Sequence, residues 1–455
     1  MRTLRSVAGS AKGLRAAVLA GAVLALLPVT VALAAQGDTT SLSVDENGDE
    51  FDSATFDVSF SQSGRFVAFS STASGLDPAD TSPTSDVFVL DRKQDDIELV
   101  SRESASKGGE VGNNVSVDAS ISASGRYVAF ESAASNLSGA DNTTPLDPDD
   151  IYVYDRKLDK VTLAARRRGA GAGANDESQN PSISADGRFV AFDSIATNLA
   201  KVDKDEDPDV YVRDLRDRRT ILASRKGRKG QDANAPAENP SISADGTTVG
   251  FQTTAMNLGG PLDGSGNVYV RELDANLTQL VSRESGQPGD GASGSSEESA
   301  VSANGRYVAF RSSATELSNA DSGSVDVFVY DRKEHTVQLV SRESQFTGGE
   351  GADNGSFAID ISDSGRYVSF RSSATNLSGV DLNAVIDVFV RDRTAKTTDL
   401  VSRVSGGGAG ADGDCFVPVI SPTGRYVGFL SIANNLSTED DDAQQNAFSH
   451  DFLGP

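Results

Sequence analysis

The chain lacks tryptophan altogether and carries one cysteine and two histidines in 455 residues. A single cysteine cannot build a disulfide framework, and Cys415, inside the strand-like text DCFVPVIS, is expected to be a buried small hydrophobe rather than a nucleophile. The histidines, His335 in a turn and His450 near the end, are too few and too unlike in setting for a zinc centre or a Ser-His-Asp triad. No Gly-x-Ser-x-Gly elbow occurs, and glycine-rich stretches such as RVSGGGAGADGDC lack the lysine and following helix of a phosphate-binding loop. Past residue 35 no long pattern of helical spacing appears. Positive charge is scarce as well: 41 lysines and arginines face 66 aspartates and glutamates, a net charge of −25. Such a surface repels phosphate backbones, so nucleic acid and anionic membranes are not expected partners, whereas cations and cationic groups are.

Residues 1–35 stand apart. Arg2, Arg5, Lys12 and Arg15 precede AAVLAGAVLALLPVTVALAA, which ends in an Ala-x-Ala pattern at residues 32–34. A basic start, an apolar run and a small-residue exit predict a secretory signal peptide cleaved near Ala34 or Ala35, and a mature protein that is secreted or held in the periplasm or cell envelope. A retained anchor is the rival reading, since the run is nearly long enough to span a bilayer; Pro28 and the small residues favour cleavage. Cleavage leaves 37 basic against 66 acidic residues, a net charge of −29, and no stable membrane insertion.

What the sequence has in abundance is repetition. SGRYVSFRSSATNL at 364–377 is nearly a copy of NGRYVAFRSSATEL at 304–317 and of SGRYVAFESAASNL at 124–137. Glycines at Gly64, Gly125, Gly187, Gly246, Gly305, Gly365 and Gly424 mark seven units, spaced by 61, 62, 59, 59, 60 and 59 residues. Each unit contains four short segments rich in Val, Ile, Phe, Tyr and Ser, such as NPSISADG, RFVAF, DVYVRD and TILASR, bounded by Gly, Asp, Asn and Pro. YVAF and DVFV are apolar at nearly every position, which suits strands covered on both faces. Seven equal four-stranded sheets predict an all-β, seven-bladed propeller over residues 36–455. The last unit lacks a fourth segment, and TTSLSV at 39–44 matches TQLVSR at 278–283, so the N-terminal strand is expected to complete the seventh blade and close the ring. A monomer is expected.

Two further patterns carry structural expectations. In a hairpin of the second and third segments, Arg65, Arg126, Arg188, Arg306, Arg366 and Arg425 fall beside Asp91, Asp155, Asp214, Asp331, Asp392 and Asp451, while the fourth unit has Thr247 and Glu272 there instead. An arginine neighbour keeps these aspartates ionised, which suits a tie between strands and not a general acid. The aromatics two residues after the glycines (Phe66, Tyr127, Phe189, Tyr307, Tyr367 and Tyr426) are expected in the core, and Leu76, Leu137, Leu199, Leu258, Leu317, Leu377 and Leu436 are expected to pin the following loops.

Antiparallel connections alternate ends, so the long loops, second to third strand and unit to unit, gather on one face. Loop-rich faces of rigid scaffolds are where recognition usually sits. There DKDEDPD offers Asp203, Asp205, Asp207 and Asp209, and DLNAVID offers Asp381, Asn383 and Asp387. Oxygen ligands spaced by two suit a hard cation, so calcium is the one cofactor expected, although neither loop is an EF-hand. The competing reading is that these residues only initiate turns, with Asp86, Asp150, Asp209, Asp326 and Asp387 starting their strands for local reasons.

SADGRFVAFDS followed by DVYVRDL resembles the repeat of TolB-like propellers, a WD-like family that lacks the Trp-Asp dipeptide. The resemblance recurs in all seven units, weakest at SADGTTVGF in the fourth, and covers residues 40–451. It implies a secreted or periplasmic propeller used for binding, without TolB's own preceding domain and without the hydrolase domain of propeller peptidases. The expected function is a non-catalytic, extracytoplasmic protein- or glycan-binding module or scaffold working through an acidic loop face, with an envelope or extracellular partner. The alternative is a propeller glycoside hydrolase or polysaccharide lyase, which would break the sevenfold regularity with unique polar residues at the axis.

Overall fold

Each repeat of about sixty residues folds into four short antiparallel strands, because its β-branched and aromatic segments are too short for helices and are cut by turn residues. The computed structural model describes residues 37–453 except 45–50, 52, 81–82, 140–148, 170, 204, 228–229, 261–263, 287–289, 321–322, 345–348, 382 and 438–443. The signal peptide expected at 1–35 lies outside the described residues. The described strands form seven four-stranded sheets, the blades of a propeller, numbered here by their glycines from Gly64. Single turns at Ala105–Lys107 and Thr315–Leu317 are the only helical segments among the described residues.

Blade 1 illustrates the unit: Thr55–Phe60 lies innermost, followed outward by Phe66–Ser71, Asp86–Asp91 and Asp96–Leu99. Blade 7 combines Cys415–Ile420, Tyr426–Ser431 and Asn446–Asp451 with Thr39–Ser41 as its fourth strand, paired antiparallel with Thr39 opposite His450 and Ser41 opposite Phe448.

The third strands are buried along almost their whole length, since sheets press on both faces. The core aromatics are those five residues after each glycine, which stack on the third strand of their own blade: Phe69 on Phe88 at 5.6 Å, Phe130 on Tyr152 at 5.9 Å, Phe310 on Phe328 at 5.8 Å. The aromatics two residues after the glycines do something else. All but Tyr367 are only half-buried, and each lies where a Cβ on the next blade's glycine would stand. Phe66 fills the space over Gly125, Tyr127 over Gly187, and so on round to Tyr426 over Gly64. The glycines, all at φ between +69° and +80°, are thus required twice, by conformation and by contact. The arginine ties form as expected; Arg126 donates from Nε and Nη2 to Asp155 at 2.8 and 2.7 Å. The same guanidinium covers its neighbouring ring, and a second arginine from the next blade covers the other side, so Phe66 lies 4.7 Å from both Arg65 and Arg156. In blade 4 the freed Glu272 turns to Arg332 of blade 5. Six of the seven loop leucines are buried, Leu76 partly.

Candidate functional site

Two regions could carry function: the axial channel and the loop face. The channel, about 470 Å³, is lined by the innermost strands of all seven blades. Six of these strands carry a non-glycine residue at positive φ, seven positions before the blade's glycine: Asp118, Asn180, Asn239, Glu298, Ala358 and Val417. In most blades the register slips there, freeing backbone N–H groups from the ladder. Side chains of the preceding blade accept these groups. Asp57 accepts from Asp118 N–H at 3.0 Å, Glu131 from Asn180 at 3.4 Å, Asp193 from Asn239 at 2.9 Å and Gln252 from Glu298 at 2.8 Å.

The position six residues after the glycine, which supplies Glu131, Asp193 and Gln252, is where the repeat is least regular: the other blades have Ser70, Arg311, Arg371 and Leu430. Burial, with Asp118 and Asp149 nearby, pushes Glu131 up to about 8; burial pushes Asp193 up to about 7. Asp193 also borders a 220 Å³ pocket with Glu177, Asn180, Glu238 and Asn239. Sequence reasoning named the test of irregular axial residues without locating them. The signal was readable as one variable column in an otherwise repeated line.

On the loop face the structure separates the expected metal ligands. Asp203 and Asp209 come together and are buried, whereas Asp205 and Asp207 are exposed. The Tyr211 hydroxyl donates to Asp203 Oδ2, and Ser224 Oγ donates to Asp209 Oδ1. Burial raises both carboxyls, Asp209 to about 8, and the carboxylates around them add to the effect. Asp232, from the loop between blades 3 and 4, completes a group of three whose carboxylate oxygens lie within 4.8 Å of one another, an arrangement that could hold a metal ion. Asp232 was missed because it is distant in sequence. In blade 6, Asp381 and Asp387 are also buried, and burial with the Asp381 carboxylate nearby pushes Asp387 up to about 7, but Asn383 is occupied locally: its Nδ2 donates to Ala411 O at 2.7 Å and its Oδ1 accepts from Val385 N–H.

Next to the triad runs a cavity of about 810 Å³ whose wall includes Asp203 together with Arg167, Arg168, Lys201, Arg225 and Asn198. Arg167, Arg168 and Lys201 are exposed. A basic groove therefore starts at the loop of Asp203 and runs along the outer strand of blade 3, past Thr220, Ile221 and Leu222, to Arg271 and Asn276 of blade 4. Cys415 is buried, its thiol pushed up to about 12 by burial, and His335 and His450 lie apart on the chain in different blades. Among the described residues no helix is long and apolar enough to cross a membrane.

No family model matches the sequence, and no curated protein matches it. Solved structures match its fold. The β-propeller domain of the Trilobed protease from Pyrococcus furiosus, described as having an open velcro topology, aligns with a TM-score of 0.53 and 12% identity over 89% of this chain and 94% of that one. An oligogalacturonate lyase from Vibrio parahaemolyticus aligns at 0.51 and 13% over 92% and 98%. TolB from Acinetobacter baumannii is also among the similar structures, at 0.39 and 12% over 80% and 76%. At these identities the likeness is one of fold: a β-propeller is what the chain shares with the first two, and its seven blades are its own sheets.

Proposed function

We propose that this propeller is a non-catalytic, extracytoplasmic binding module or scaffold that holds a protein or glycan partner on its loop face, with calcium as the hard cation of that face. The observation that carries the reading is the groove at blade 3: three exposed cationic side chains and a half-buried fourth line one cavity in a chain of net charge −25. Charge concentrated against the sign of the whole surface favours a ligand bearing carboxylate, phosphate or sulfate groups, and opposes the protein's own acidic surfaces. The axial carboxylates support the same reading, because each accepts a backbone N–H that would otherwise be orphaned at a bulge. The test is capture of partners from native envelope and medium by the mature protein and by an Arg167→Glu, Arg168→Glu variant. A partner retained by the first and lost by the second is expected; equal retention would refute the groove.

One observation favours the lyase or hydrolase alternative. Glu131 and Asp193 are acids in the variable column of the innermost hairpins, and burial raises their pKa values, as a general acid requires. Turnover of acidic glycans abolished by Glu131→Gln, in a variant that still melts cooperatively, would decide for that alternative.

A further inference from the structure

We infer that Asp203, Asp209 and Asp232 form a divalent-cation site, with calcium as its ion, that joins the second loop of blade 3 to the loop leading into blade 4. The inference rests on the proposal that the loop face takes a hard cation, and not on which partner is held there. Three observations carry it. First, two ligand oxygens are already sequestered: Asp203 Oδ1 and Asp209 Oδ2 are buried with no hydrogen-bond partner among the described residues, on side chains whose residues are only 4% and 2% exposed. An ionised oxygen in that state is costly unless a cation meets it.

Second, the third ligand is a departure from the repeat. Asp232 stands fourteen residues before Gly246, and the same position holds Val111, Gly173, Gly291, Gly351 and Gly410 in the other blades that have one bridged there. Asp86 Oδ2 and Asp387 Oδ2, at the position of Asp209, are orphaned too, so the orphaned oxygen is a property of the fold. Only at blade 3, among the described residues, do two further carboxylates close round it. Arg225 faces Asp232 across that bridge, yet its guanidinium donates to Gly230 O at 2.5 Å and not to a carboxylate.

Third, the span suits the ion. The oxygens lie within 4.8 Å of one another. Calcium, with bonds of about 2.3–2.6 Å, joins oxygens up to about 5 Å apart, so all three carboxylates can reach one ion. Asp205, on the exposed side of the same loop, lies close enough to act on all three carboxylates, and water would supply the remaining ligands of a bound ion.

The experiment is calorimetric titration with calcium chloride of the chelator-treated mature protein, with parallel thermal melts. Two variants are chosen from residues that sister blades already tolerate: Asp232→Gly, the commonest residue at its position, and Asp209→Asn, since Asn267 and Asn446 begin the third strands of blades 4 and 7. The wild type is expected to bind one calcium and to melt about 3 °C higher at a hundredfold excess over the dissociation constant. Both variants are expected to lose the heat and the shift by at least tenfold in affinity, while melting as single transitions without calcium. Asp387→Asn in blade 6 is expected to change neither. Calcium bound with undiminished affinity by Asp232→Gly and Asp209→Asn would overturn this site while leaving the calcium-binding face standing. Absence of heat and shift in the wild type up to 10 mM calcium would overturn both.

Discussion

Six junctions between neighbouring blades are built one way, and the seam between blade 7 and blade 1 is built another. On the loop face all seven agree: the first residue of each innermost strand donates its N–H to the blade before, Ser116 to Ser85 O at 2.8 Å and, across the seam, Thr55 to Gln445 O at 3.0 Å. On the opposite face a chain of backbone bonds runs from turn to turn, from Gln62 to Ala123 O and on to Asp363 donating to Pro422 O at 2.9 Å. It stops at the seam, since Pro422 has no N–H to pass on. Four of the six ordinary junctions set an isoleucine, such as Ile121, by an alanine, such as Ala68, while blade 4 offers Gly250 to Val301 and blade 6 has Ser369 there; the seam sets the larger Phe60 into a notch over Gly428, where a Cβ would lie 2.6 Å from the ring. Phe60 also stacks on Tyr426 at 6.4 Å, and Leu430 takes the place that Glu131 and Asp193 occupy elsewhere. What the difference teaches is that a ring made from copies still has one joint where the copies must be cut, and that joint exchanges directional bonds for apolar volume.

The comparison can be broken most forcefully at the glycines. Gly125→Ala or Gly64→Ala would drive a Cβ into the Phe66 or Tyr426 ring at positive φ, and a loss of at least about 3 kcal/mol, or failure to fold, is expected in urea unfolding. Gly305→Ala should cost least, because Thr248 is the neighbour there and has no ring to displace.

The seam's own packing is tested next by a double-mutant cycle. Phe60→Ile is expected to cost about 1–3 kcal/mol through the space left over Gly428, and Gly428→Ala a similar amount through overlap with Phe60. The double variant rebuilds the isoleucine-on-alanine pairing found at four of the other junctions, so the two losses should cancel by at least about 1 kcal/mol. Strict additivity would mean that Phe60 and Gly428 are not partners.

Acid and base should separate the ordinary junctions from the strand pairing that completes blade 7, because their buried groups titrate in opposite directions. Glu131 and Asp193 have folded-state pKa values raised to about 8 and 7, so the stability they confer is complete below the unfolded carboxyl value and is lost as pH rises through 7 to 8. The melting temperature is expected to fall from pH 5 to pH 8.5, and Glu131→Gln to flatten that slope. Inside blade 7, where the N-terminal strand pairs, His450 is buried opposite Thr39, whose hydroxyl lies 2.9 Å from its Nδ1. Burial, helped by Arg403 and opposed by Asp451 and Asp38, lowers it to about 4, so its contribution is present above its unfolded value and is lost as pH falls through about 4. Amide exchange at Thr39–Ser41, corrected for intrinsic rates, is expected to accelerate between pH 6.5 and 4 more than at the other outer strands.

Most of the fold was legible because a repeat states its own period: seven glycines, seven strand quartets and six Arg–Asp ties could be counted in the text and are found in place. Of the aromatics two residues after the glycines, expected in the core, Tyr367 is buried there, while the other five are half-buried against it at the junctions, since a hydrophobicity pattern reports burial and not which blade provides it. The candidate site was less legible. Asp203 and Asp209 were found by spacing along one loop, but Asp232 reaches them only through the fold, and the groove of Arg167, Arg168 and Lys201 draws on two separate loops of a chain whose overall charge has the other sign. Residues that converge from different loops leave no spacing to read.

We propose that Thr39–Ser41, beyond pairing with the third strand of blade 7, is what holds the ring shut, so that seven blades melt as one body. Scanning calorimetry of a chain starting at residue 45 against one starting at residue 36 tests this most directly. A single sharp transition in the longer chain, replaced in the shorter by a broad transition of much lower temperature and enthalpy, is predicted. An unchanged single peak after removal of the strand would contradict it.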